Sequence, residues 1–146
     1  MAQMSIDLDK EFFNELKKHE DISKIADKMV AEASPAVVKT LKTEIGKHKR
    51  TDDLAKSVKA TKPKRNKNGE SYVVVRPTGK SLSAISDSHK TYKRKTAVRN
   101  MEKLASLEFG NSQGQKPTPV IEQATEKAES DVIAKMTEVY EKETGI

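Results

Sequence analysis

Leu107-Glu108-Phe109-Gly110-Asn111, followed after a few polar residues by Pro117-Thr118-Pro119-Val120-Ile121-Glu122-Gln123-Ala124, is the stretch that decides how this 146-residue chain is built. An apolar segment stops at a glycine corner. A small-polar loop follows, and a proline-started amphipathic helix takes over. Nothing in this arrangement can do bond-making chemistry. The stretch reads as a loop fixed between two packed elements and presented to a partner, which points to an assembly component and away from an enzyme.

Downstream of the corner, Val120, Ile121, Ala124, Ala128, Val132, Met136, Val139 and Tyr140 fall on one helical stripe. Glu122, Glu126, Lys127, Glu129 and Lys135 cover the other face, which predicts a helix over 119–142. Upstream, Val98, Met101, Leu104, Ala105 and Leu107 carry a helical spacing into the corner, so 98–118 reads as corner and loop. Leu107–Phe109 as a short third strand is the alternative. Residues 78–97 are rich in Ser, Thr and Lys, with only the weak apolar pair Leu82 and Ile85, and read as a long, flexible central loop.

Before that loop, Tyr72-Val73-Val74-Val75-Arg76 is the clearest strand, bounded by Gly69 and Pro77. Asn68-Gly69 is a strong hairpin turn signal. Segments 57–63 and 71–77 are therefore expected to pair, making 51–77 a hairpin region with a basic tip at Lys62, Lys64, Arg65 and Lys67. Thr51-Asp52-Asp53 reads as the cap or turn that opens it.

The N-terminal part is helical in pattern. Leu8, Phe12, Phe13 and Leu16 predict a short helix within an arm over 1–20, which Asp7 or Asp9 can cap. His19-Glu20-Asp21 is expected to break it. Ile22, Ile25, Ala26, Met29, Val30, Ala33, Val37, Leu41 and Ile45 then predict a long helix over 21–48. Ser34-Pro35 fits an N-cap followed by proline, so two helical pieces joined at a kink are expected there. Gly46 and the basic run 47–50 should close the second piece. The whole is read as one α+β domain over 1–146, with helices from both ends packed on a small antiparallel sheet.

Composition supports this picture. Only 34% of the chain is hydrophobic and six residues are Phe or Tyr, so the core must be thin and aliphatic. A thin core suggests completion by neighbouring subunits. The net charge of +6 is unevenly spread. Residues 39–103 hold 19 basic against 6 acidic residues, a net of +13, while the flanks hold 9 against 16, a net of −7. Basic blocks read as nucleic-acid contacts or as faces for an acidic partner. There is no cysteine, so disulfides and thiolate metal sites are excluded. The N-terminus has no signal-peptide pattern, and no run reaches the ~20 apolar residues of a membrane span.

Candidate chemistry is weak. Gly79-Lys80-Ser81 resembles the end of a phosphate-binding loop, but Val74 stands where that motif needs its first glycine. His19, His48 and His89 lie far apart and form no metal-ligand spacing. No serine sits in a nucleophile elbow. Asp52-Asp53 lies in a basic setting that keeps carboxylates ionised. No cofactor and no catalytic residue are expected.

In order, the chain presents an amphipathic helix, Thr51-Asp52-Asp53-Leu54-Ala55-Lys56-Ser57-Val58, a basic hairpin, Glu108-Phe109-Gly110-Asn111, and Pro117 leading to Ala124. This order resembles the tail-completion, or head–tail joining, proteins of long-tailed bacteriophages and prophages. In that family a Thr-Gly-x-Leu-x-x-Ser-Ile segment follows the long helix, and Glu-Phe-Gly-Thr leads to Pro-Phe-x-x-Pro-Ala. Here Asp52 replaces the glycine, Thr118 replaces the phenylalanine, and the second proline is Glu122 or Gln123. The resemblance runs from about residue 21 onward, with no counterpart for 78–100.

It implies a structural virion protein at the phage neck, made in the host cytoplasm, without catalytic residues or cofactor. Its partners would be copies of itself in a ring, usually sixfold, together with a tail terminator or tail-tube protein and head-connector proteins, and no membrane. Glu108, Phe109, Gly110, Asn111, Pro117, Thr51, Leu54 and Ser57 are then candidate subunit or partner contacts. Lys62, Lys64, Arg65, Lys67, Lys93, Arg94 and Lys95 are candidates to face a partner or the DNA in the channel. A basic nucleic-acid-binding accessory protein is the alternative function.

Overall fold

The computed structural model describes residues 10–48, 52–85 and 91–145. Its elements are α1 (Lys10–Lys47), α2 (Asp53–Ser57), β1 (Val58–Ala60), β2 (Lys64–Arg65), β3 (Ser71–Tyr72), β4 (Val75–Pro77), β5 (Lys80–Ile85), β6 (Thr91–Arg99), α3 (Asn100–Phe109) and α4 (Val120–Thr144). The architecture is α+β, with two long helices from opposite ends of the chain and small antiparallel ladders between them.

The break expected at His19-Glu20-Asp21 is absent, and so is the division at Pro35: α1 is one helix of 38 residues. Polar residues without glycine or proline cost a helix only tenths of a kcal/mol each. Proline removes the N–H that would bond to the carbonyl four residues back, here that of Ala31. The Ser34 hydroxyl supplies the missing donor, giving its proton to the Ala31 carbonyl at 2.9 Å. A serine read as a cap thus repairs the helix around its own proline. The candidate caps Asp7 and Asp9 lie outside the described residues, as does Thr51. Gly46 lies inside α1, which ends at Lys47.

α4 lies antiparallel on α1. Lys28 is paired with Glu143, and Lys127 with Glu44. That register leaves Lys10–Ile25 running past the end of α4, a helical arm of about 24 Å at 1.5 Å per residue. Leu41 and Ile45 of α1, Leu54 of α2, Val58 of β1, Leu104 of α3, and Val120 and Ala124 of α4 form one core cluster. Each helix therefore contributes to the same aliphatic core. Ala33, Ala128 and Val139 are also buried, and their small volume lets the two long helices approach closely.

The expected hairpin over 57–77 is present as two short ladders. Val58 pairs with Pro77 and Ala60 with Val75, then Lys64 with Tyr72 and Arg65 with Ser71. Gly69, at φ 80°, closes the turn by donating to the Asn66 carbonyl, and the Asn66 side chain accepts from the amides of Asn68 and Glu70.

Residues 78–97 are not one long loop. β5 and β6 pair antiparallel from Lys80↔Arg99 to Ile85↔Thr91, with a register shift between Ser81 and Ser83. The ribbon packs on the remainder chiefly where β6 meets α3. Leu107–Phe109 adds no strand; it is the last turn of α3.

Candidate functional site

The glycine corner is a rigid joint. Gly110 ends α3 at φ 76°, a backbone region that disfavours other residues. A Cβ at this position would meet the Gln115 carbonyl oxygen at 2.5 Å and Pro117 Cδ at 3.1 Å. Glycine is thus required twice, by conformation and by space. Asn111 organises the following loop: its Oδ1 accepts from the amides of Gln113 and Gln115 at 3.0 and 3.1 Å. The Thr118 amide donates to the Leu107 carbonyl at 2.7 Å, returning the chain to α3.

Glu108 then crosses to the next helix. Its Oε2 accepts from the Ile121 amide at 2.8 Å, which satisfies a free donor in the first turn of α4 and places a carboxylate at its positive end. Phe109, at the tip, is 75% exposed, and Pro117 and Asn111 are exposed beside it. The fold therefore brings Glu108, Phe109, Gly110, Asn111 and Pro117 together as one presented corner. Leu54 has another position, in the core at 8% exposure. Ser57 donates its hydroxyl to the Leu54 carbonyl at 2.7 Å.

The basic candidates divide between two hairpins. In the first, Arg65 is clasped by Asp27 of α1, with Nη2 to Oδ2 at 2.8 Å and Nε to Oδ1 at 3.3 Å. Asp27 also accepts from the Ser71 hydroxyl. These hydrogen bonds, those of Arg65 before that of Ser71, hold the Asp27 carboxyl below its ordinary range. The tip is thus folded onto α1, with Lys62, Lys64 and Lys67 exposed around it. Lys93, Arg94 and Lys95 lie exposed on β6 of the second hairpin. Beside them Lys103 donates to the Ser81 hydroxyl and, at 3.0 Å, to the Ser83 carbonyl. Burial, and then the charge of Arg94, push the Lys103 ammonium below its usual value.

Sequence reasoning missed Glu44. It is 1% exposed and sits in the buried phase of α1, three residues after Leu41; that position was the available signal. Its Oε1 accepts from Lys127 at 2.6 Å and Lys47 at 2.9 Å. Those bonds, Lys127 first, hold the carboxyl below the usual carboxylate value, so it stays ionised at neutral pH and suits a clamp between α1 and α4 better than proton transfer. An open depression of about 440 Å³ beside it is lined by Lys39, Thr40, Thr43, Lys47, Lys127 and Asp131, among others. Among the described residues no cluster of His, Cys, Asp or Glu could hold a metal, and no helix is long and apolar enough to cross a membrane.

No curated protein and no solved structure matches the chain. A family model does match, over residues 10–110, and its description is "Bacteriophage HK97-gp10, putative tail-component". The matched span runs from the first described turn of α1 through both hairpins and α3 to the glycine corner. An apolar tip held out on the glycine joint agrees with such a part. The chain belongs to the HK97-gp10-like family of bacteriophage tail components.

Proposed function

We propose that this tail component completes the tail at the phage neck, forming a ring, sixfold by analogy with the family it resembles, that joins the tail to the head connector. The observation that carries the reading is the corner. A phenylalanine 75% exposed, held on a joint that only glycine can make, is an apolar side chain placed for a partner surface to cover. Ile133 at 57% and Tyr140 at 41%, two turns apart on α4, add an exposed apolar pair elsewhere. The α1 arm, extending past α4, supplies reach toward a neighbour. In this reading copies of the chain meet through the corner and the arm, and the ring contacts a tail terminator or tail-tube protein on one side and head-connector proteins on the other.

The test is complementation. Phe109→Asp alters an exposed side chain, so the isolated protein should melt as the wild type does. Phage supplied only with that variant should yield full heads and free tails. Full restoration of joined particles by Phe109→Asp would count against the corner as a contact.

A further inference from the structure

Two cross-strand pairs set like charges opposite each other. Lys59 faces Arg76 in the β1–β4 ladder, and Lys80 faces Arg99 in the β5–β6 ladder. All four side chains are exposed. Directly opposed residues lie on one face of a ribbon, about 5 Å apart, where like charges repel. The two pairs adjoin, since Arg76 and Lys80 are four residues apart in one chain.

The junction between them is fixed. Thr78 donates its amide and its hydroxyl to the Ser57 carbonyl at 2.9 and 3.0 Å. The Asn100 amide donates to the Gly79 carbonyl at 3.0 Å, and its side chain donates to the Thr78 carbonyl at 2.7 Å. Asn100 is 4% exposed, so a buried residue sets how one ribbon passes into the next. Among the described residues, the carboxylate contact of these four cations is Arg99 with Glu102, at 4.0 Å and largely exposed.

A fold that sets two like-charged pairs at one fixed junction, with so little acid beside them, is shaped for a polyanion. We propose that Lys59, Arg76, Lys80 and Arg99 form a contact track for the phosphate backbone of duplex DNA, independent of sequence. A protein partner would require an apolar centre to the interface, whereas DNA interfaces are polar and strongly positive. No aromatic residue stands next to the four positions in either register, so a stacked single strand is not what the track fits. The neck assignment is not needed for this inference.

The experiment is fluorescence anisotropy of the full chain with a random-sequence duplex of about 30 base pairs, between roughly 50 and 200 mM salt. The wild type should bind at the low end and weaken steeply as salt rises. The variant Arg76→Gln/Lys80→Gln/Arg99→Gln should lose at least about tenfold in affinity, and its salt slope should fall by about three, one for each phosphate contact removed. Its melting temperature should stay level or rise, because repulsion is relieved. Lys59→Gln/Arg76→Gln serves as a second, smaller probe, with a slope lower by about two. Lys62→Gln/Lys64→Gln/Lys67→Gln removes the same charge from the other end of the first hairpin and should change affinity by less than about threefold. No duplex binding at low salt would overturn the proposal. So would equal losses in the control, or binding of polyglutamate in place of the duplex.

Discussion

The first hairpin, 58–77, and the second, 80–99, are both basic and both antiparallel, yet the body holds them very differently. The first buries Val58 at 1% exposure in the core, packs Val75 against it, and has its tip clasped by Asp27 of α1. The second is attached mainly at its root, through Asn100, Lys103 and the packing of β6 on α3. Similar composition thus produces an anchored hairpin and a projecting ribbon. The difference lies in a few apolar residues facing inward and in one carboxylate on a distant helix.

Removing the anchor should have the largest effect. Val58→Ala deletes core volume, and a cost of about 2 kcal/mol in denaturant unfolding is expected. Leu82→Ala on the ribbon, where the side chain is 41% exposed, should stay within about 0.5 kcal/mol. Equal costs would erase the contrast.

Loosening the clasp should be a smaller and local effect. Asp27→Asn keeps the shape but removes the charge that Arg65 meets. Hydrogen exchange at 64–72 should then quicken toward the rate of the ribbon, with little change in the α1–α4 seam. Unchanged protection at 64–72 would show that the ladder needs no clasp.

Acid should reveal the same asymmetry. Asp27, Glu44 and Glu143 are all held below their ordinary carboxylate values by cationic partners. A lowered carboxyl contributes stability that is complete above its unfolded pKa and is lost as pH falls through the folded one. Thermal stability should therefore decline as pH drops below about 4.5, the decline tracking the α1–α4 seam and the first hairpin. The ribbon holds none of these three carboxylates, so exchange within it should show no acid step of its own. A separate acid transition in β5–β6 would contradict this.

The anchored parts were legible in the amino-acid pattern and the projecting part was not. The α4 stripe of Val120, Ala124, Ala128 and Val139 is periodic because one face is buried. Tyr72–Arg76 and Asn68-Gly69 announce the first hairpin because β-branched runs and positive φ leave strong local marks. β5 and β6 leave little: Ala84 is buried, but Leu82, Lys93, Arg94 and Lys95 are exposed, and the register shift after Ser81 breaks the alternation. The continuity of α1 was hidden for a different reason, because Ser34 serves as a donor to Ala31 where a cap was expected. At the corner, Gly110 was legible as a joint, but the reach of Glu108 to Ile121 depends on two helices meeting. The Arg65–Asp27 clasp spans 38 residues and belongs to tertiary structure alone.

The most direct test of the central claim, that this tail component closes the joint between head and tail, is negative-stain imaging of particles made without it. Deleting its gene should leave DNA-filled heads and complete but separate tails, and adding the purified wild-type chain back should join them. Normally joined particles in the deletion strain, or a population of empty heads with no free tails, would contradict the account.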